Sequence, residues 1–188
     1  MDWKFDISII VPGDVSFDPL DKFVEYYKVK HDIAARINPH RILEIGVRAG
    51  YSAYSFLSAC PESYYLGIDA ENGSWGGGGG PWNQHARKTL SGFNAEFIIA
   101  DSQQIADLFL RPFDLIHIDG DHSFKGALGD IKLCSRVLAA SGTILVDDYD
   151  FIPSVRRACD VFLASDHGYC GEYIKSFRGE MLITKNRV

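Results

Sequence analysis

The sequence predicts an α/β fold, a mostly parallel sheet assembled from βαβ units with helices against both faces. Three observations carry this prediction. Short apolar runs alternate with longer stretches of helical period. Glycine or proline punctuates the joints between them. Acids fall where the first five runs end, at Glu44, Asp69, Asp101, Asp119 and Asp147. Ligands of such sheets bind outside the carboxyl ends of the strands, so one crevice is expected to collect those five carboxylates.

The elements follow in order. A first helix is predicted from about Asp18 to Ile37, with Pro19 near its start and Phe23, Tyr26, Tyr27 and Ile33 as its apolar positions. It stops before Asn38-Pro39, because a residue preceding proline tends to leave the helical region. Arg41 to Gly46 reads as the first strand, Tyr51 to Ala59 as a helix, and Tyr64 to Asp69 as the second strand. Five consecutive glycines, Gly76 to Gly80, sit between Trp75 and Trp82 and exclude regular structure there. A helix from Asn83 to Ser91 precedes a third strand at Ala95 to Ala100, and Gln103 to Leu110 reads as a short helix. Phe113 to Asp119 is the fourth strand, Lys125 to Ala139 a helix, and Thr143 to Asp147 the fifth strand. Val155 to Leu163 is the last helix. A hairpin of strands near Glu172 to Phe177 and Met181 to Lys185 is expected to turn at Arg178-Gly179-Glu180. The division implied is an N-terminal segment over 1–40, its helix packing on the core, and a ligand-binding domain over 41–188.

Composition narrows the classes of function. The 188 residues are 46% hydrophobic and 13% aromatic, enough for one buried core and too apolar for disorder. Lys and Arg number 19 against 25 Asp and Glu, a formal charge of −6, so a sequence-independent nucleic-acid binder is not expected. Cys60, Cys134, Cys159 and Cys170 form no CxxC pair and read as reduced thiols. The stretch Met1 to Asp6 has neither a basic nor an apolar leader pattern, and no apolar run approaches the ~20 residues that span a bilayer. The expectation is a cytoplasmic protein with no membrane partner.

The first strand enters Glu44-Ile45-Gly46-Val47-Arg48-Ala49-Gly50-Tyr51-Ser52. Glycines at 46 and 50 let the backbone turn sharply and approach a ligand, and the helix beginning near Tyr51 aims unpaired N–H groups into the crevice. This is not the dinucleotide pattern GxGxxG, since Arg48 occupies the middle position and makes a packed pyrophosphate less suited to the turn. Asp69 stands where an acid can accept both hydroxyls of a ribose, and Asp101-Ser102 where polar groups can meet an adenine amine. Each alone equals a solvated acid at a strand end. Together they favour an adenosine-containing ligand without a diphosphate.

At the other end, Ile118-Asp119-Gly120-Asp121-His122-Ser123-Phe124 precedes Val146-Asp147-Asp148-Tyr149. Asp119, Asp147 and Asp148 placed close together would repel unless a positive group lay among them, and a hard divalent cation with oxygen ligands is the economical answer. His122 is then a candidate general base towards a hydroxyl. The alternatives are a strand-end cap for the two acids and a loop-bonding role for His122.

These residues resemble those of class I S-adenosylmethionine-dependent methyltransferases, over about Arg41 to Lys185. The DGDHS and DDY segments are similar to methyltransferase family 24 and the macrocin O-methyltransferase type. The resemblance implies a Rossmann-like three-layer sandwich with strand order 3-2-1-4-5-7-6 and strand 7 antiparallel. It implies cofactor contacts from Glu44, Gly46, Arg48, Gly50, Ser52, Asp69, Asp101, Ser102 and Asp119. It further implies a divalent metal, Mg²⁺ in the first instance, on Asp119, Asp147 and Asp148, with His122 and Asp119 catalytic. Methyl transfer to a hydroxyl of a small natural product or sugar is expected, in a chain that could associate with a second copy. Phe124 stands where such sequences often carry Tyr, and the N-terminal extension is short for an acceptor cap. Metal-free N-methylation, an NAD-linked oxidoreductase and a non-catalytic nucleoside-binding module remain the alternatives. The Trp75 to Trp82 loop is either a lid over the ligands or a surface excursion.

Overall fold

A computed structural model describes residues 3–14, 17–71, 82–104, 111–165 and 167–186. Helix α1 spans Leu20–Ile37 and ends at Asn38, whose left-handed backbone (φ 50°) returns its N–H to the Ala34 carbonyl ahead of Pro39. Its buried side chains, Phe23, Tyr26, Tyr27, Lys30, Ile33 and Ala34, recur at helical spacing, Ile33 and Ala34 packing on the sheet. One of them is a lysine.

The remaining elements are β1 (Arg41–Ile45), α2 (Tyr51–Ala59), β2 (Tyr64–Asp69), α3 (Trp82–Thr89), β3 (Ala95–Ile99), β4 (Phe113–Ile118), α4 (Phe124–Val137), β5 (Leu138–Val146), α5 (Pro153–Ser165), β6 (Tyr169–Ile174) and β7 (Glu180–Lys185). The strands form one seven-stranded sheet in the order β3-β2-β1-β4-β5-β7-β6. The pairs from β3 through β5 are parallel, and β7 runs antiparallel to both β5 and β6. This is the Rossmann-like sandwich expected from the sequence.

The strands β1, β4 and β5 are largely buried on both faces because helices cover both. One core cluster joins them to α4 and α5 through Ile131, Cys134, Ala158 and Phe162. A second joins the opposite face to α1 and α2 through Ile33, Ala34, Phe56 and Leu57. A third is largely aromatic and locks the chain ahead of α1 onto that helix, with Phe5 stacked on Tyr27 and Phe17 on both.

Several boundaries differ from expectation. Strand β5 begins at Leu138 rather than Thr143, because its pairing with β4 jumps from Phe113↔Leu138 to Leu115↔Thr143 and the intervening residues bulge. Strand β6 begins at Tyr169 rather than Glu172; it is an edge strand with mostly exposed side chains, so no apolar alternation marks it. Glu180, expected in the turn, opens β7, and Gly179 with φ 71° makes the bend. Of the helix expected from Gln103 to Leu110, a single 3₁₀ turn at Ser102–Gln104 is described, and 105–110 lie outside the described residues. The glycine run at 76–80 and its expected lid role also lie outside them. Among the described residues no helix is long and apolar enough to cross a membrane.

Candidate active site

A cleft of about 560 Å³ opens at the carboxyl ends of the parallel strands, within the size range of small-molecule sites. The turn after β1 shapes its centre. Gly46 has φ 85°, and a Cβ there would lie 1.9 Å from the Asp119 carbonyl oxygen, so residue 46 must be glycine for β1 and β4 to end side by side. Gly50 (φ 79°) precedes α2 and packs against Ala86 of α3. Asp69 holds the turn: its Oδ2 accepts from the Val47 and Arg48 N–H groups at 2.9 and 2.7 Å, and its Oδ1 from Glu71 N–H at 2.7 Å. Gly46, Arg48, Ser52, Asp69, Asp101 and Ser102 all line the cleft, as does Asp119. Gly50 does not line it but sets the entry of α2.

Glu44, expected against the cofactor, is not among the residues that line the cleft. It stands beside His117 in register and is 1% exposed. Its carboxylate accepts the Tyr65 hydroxyl and lies 2.7 Å from His117 Nδ1. Asp147, expected on the metal, is turned elsewhere. Its Oδ2 takes Lys30 Nζ at 3.0 Å and the Tyr26 hydroxyl, so it points away from Asp119 into the interior beneath α1. Lys30 Nζ also reaches Glu180 Oε1 at 3.0 Å and His117 Nε2 at 3.2 Å. The repulsion anticipated between the acids is relieved here by a buried ammonium on one of them.

Asp119, His122 and Asp148 do converge. His122 Nε2 lies 3.1 Å from Asp119 Oδ1 and 3.4 Å from Asp148 Oδ2. Gly120 lets the chain leave β4, and the Ser154 hydroxyl fixes the loop by donating to the His122 carbonyl at 2.6 Å. Asp148 is presented by a left-handed residue (φ 59°) whose N–H donates to Asp147 Oδ1 at 2.8 Å, and Arg178 Nη1 donates to its Oδ1 at 3.0 Å. The hydrogen bond with Asp119 raises the His122 pKa above its usual 6.5, against the pull of burial. Burial, then the neighbouring Asp119 and Asp147 charges, push Asp148 up to about 7, against Arg178.

A family model described as a methyltransferase domain, that of methyltransferase family 24, matches residues 43–149. The chain belongs to methyltransferase family 24. A comparison with curated proteins finds no match. Among solved structures, this family 24 methyltransferase is similar to the O-methyltransferase TomG from Streptomyces achromogenes, involved in tomaymycin synthesis and solved with S-adenosylmethionine. There the TM-score is 0.71 at 19% identity over 87% of this chain and 81% of that one. The O-methyltransferase from Bacillus cereus, solved with S-adenosylhomocysteine, gives 0.70 at 17% identity over 95% and 86%. A putative caffeoyl-CoA O-methyltransferase from Staphylococcus aureus gives 0.71 at 16% identity over 92% and 93%.

In this methyltransferase, the donor atoms of Asp119, His122 and Asp148 lie within 4.8 Å of one another. The two carboxylates fit a divalent cation with the His122 imidazole beside them, and Asp147, expected in that set, is not among the three. Sequence reasoning missed Lys30, Arg178, Asp130 and Asp14. Asp14, in the chain ahead of α1, pairs with Arg48 Nη2 at 2.8 Å and accepts from the Tyr51 hydroxyl at 3.1 Å. The one signal that could have flagged Lys30 is its place on the apolar stripe of α1, between Tyr27 and Ile33.

Proposed function

We propose that this chain moves the methyl group of S-adenosylmethionine to a hydroxyl of a small natural product or sugar. The observation that carries the reading is the hydrogen bond between His122 and Asp119 in the same cleft that Asp101 and Ser102 line. With Nε2–H committed to Asp119, Nδ1 of His122 is left to accept the hydroxyl proton, and Asp119 stabilises the imidazolium that forms. The acceptor oxygen bonds to the methyl carbon as the carbon–sulfur bond breaks, leaving S-adenosylhomocysteine. Most of the acceleration comes from holding the two reactants in line. A divalent cation, Mg²⁺ first, held by Asp119 and Asp148 would make the hydroxyl more acidic.

The adenosine half of the cofactor belongs with Asp69, Asp101 and Ser102, and its amino-acid half with Gly46, Arg48 and Ser52. The same reading takes the protein as cytoplasmic and free of nucleic-acid partners, open to pairing with a second copy, and with 1–40 belonging to the same folded unit as 41–188. Incubation with S-adenosylmethionine and a panel of hydroxylated acceptors tests it. Release of S-adenosylhomocysteine that depends on the acceptor, and on His122, supports O-transfer. Transfer only to amines, unaffected by EDTA, overturns it in favour of metal-free N-methylation.

A further inference from the structure

Arg178, between β6 and β7, lines the cleft, and only part of its guanidinium is used. Nη1 donates to Asp148 Oδ1 at 3.0 Å, and Cζ lies 5.5 and 5.0 Å from the ring centroids of Phe23 and Phe151. The other edge is unmet. Nε is buried and has no acceptor, and among the described residues nothing accepts from Nη2. A buried donor on a charged group is costly to leave without a partner. Tyr27 of α1 is a second unmet group in the same cleft, 8% exposed, with its ring stacked on Phe5 and Phe17. Among the described residues its hydroxyl has no partner, and it is not sealed off as Arg178 Nε is. Burial, then the Asp119 charge, raise its pKa well above the usual 10, so it stays protonated and able to donate. The cleft therefore offers donors for ligand oxygen that the cofactor reading leaves unused.

We propose that Arg178 selects the acceptor, and that the compound receiving the methyl group is a hydroxy acid. Its carboxylate is held side-on by Nε and Nη2, the fork that matches two carboxylate oxygens, while Nη1 stays on Asp148. This rests on the reading of the cleft as a methyl-transfer site and narrows the acceptor within it. One guanidinium already shared with Asp148, with Asp119 in the same cleft, suits a singly charged carboxylate better than a phosphate dianion. A neutral analogue with an amide or a hydroxymethyl group in place of the carboxylate cannot fill the fork, and a site built for a polar group rejects the analogue lacking it.

Release of S-adenosylhomocysteine with two matched pairs of acceptors, Mg²⁺ being present, tests the assignment: protocatechuate against its amide, and methyl glucuronoside against methyl glucoside. In at least one pair the wild-type protein is expected to favour the acid about tenfold or more in kcat/KM, the worth of one hydrogen bond to a charged group. Arg178→Gln and Arg178→Lys both lose the fork, so the ratio should fall below about threefold in each. Both variants also loosen Asp148, so the neutral compound loses some turnover as well, and the ratio isolates the carboxylate. Equal losses that leave the ratio unchanged assign Arg178 to holding Asp148 alone and overturn the inference. The wild-type ratio does not depend on how the variants fold, and parity in both pairs overturns the inference by itself. Turnover of none of the four compounds overturns it too. Calorimetry with S-adenosylhomocysteine then separates the two failures: retained binding removes this inference alone, and lost binding removes the methyl-transfer reading with it.

Discussion

In the proposed transfer, His122 works through its neighbours. Asp119 orients its ring and raises its pKa, and Asp148 stands behind it at 3.4 Å. A base must be neutral to act, so kcat/KM should climb with pH through a value above 6.5, the ordinary figure for histidine. His122→Gln should abolish that limb and lower kcat by about 100-fold or more, the usual contribution of a positioned base. Affinity for S-adenosylhomocysteine, followed by calorimetry, should stay within about twofold, because the imidazole does not form the adenosine half of the cleft. Equal losses in affinity and turnover would make His122 a loop-bonding residue. Asp119, His122 and Asp148 were legible because glycine and strand-end position expose them in the sequence. Asp130 was not, since a buried acid within an amphipathic helix reads like any solvated one until Ser102 and Gln103 are brought against it by the fold.

Among the elements, the turn from β1 to α2 is the one whose sequence and geometry agree most closely. Gly46, Arg48 and Gly50 all take positive φ within five residues, which lets Asp69 collect two successive N–H groups. Gly46→Ala would place a methyl 1.9 Å from the Asp119 carbonyl oxygen and strain a left-handed residue. Strain and overpacking together should cost about 3 kcal/mol, read as a lowered denaturation midpoint with an unchanged slope. A variant of wild-type stability would mean that β1 and β4 can separate at their ends. Strands buried on both faces announced themselves as apolar runs. The edge strand β6 and the bulge in β5 did not, because an exposed edge needs no apolar alternation and a bulge answers to its partner strand.

At the scale of the whole molecule, one buried lysine binds the N-terminal helix to the sheet. Lys30 is 0% exposed and reaches Asp147 at the end of β5, Glu180 at the start of β7 and His117 in β4, all from α1. The sequence could not show this, because a lysine on a helix is ordinarily solvated and only its apolar neighbours hinted otherwise. Burial alone would raise the Asp147 pKa, but the Lys30 charge and the His117 and Tyr26 contacts hold it well below the usual 3.8. An acid with a depressed folded pKa contributes stability above its unfolded value and loses it as pH falls below about 4. Lys30→Met should therefore cost about 3–5 kcal/mol at pH 7, since it removes the buried ammonium that Asp147 and Glu180 share. Without Lys30 the Asp147 carboxyl would prefer to be protonated, so the gap between variant and wild type should narrow as pH falls from 7 towards 4. Urea denaturation at several pH values measures both the size and the trend. A gap that is constant with pH would mean that Lys30 acts through packing, and that α1 is held by its aromatic face rather than by charge.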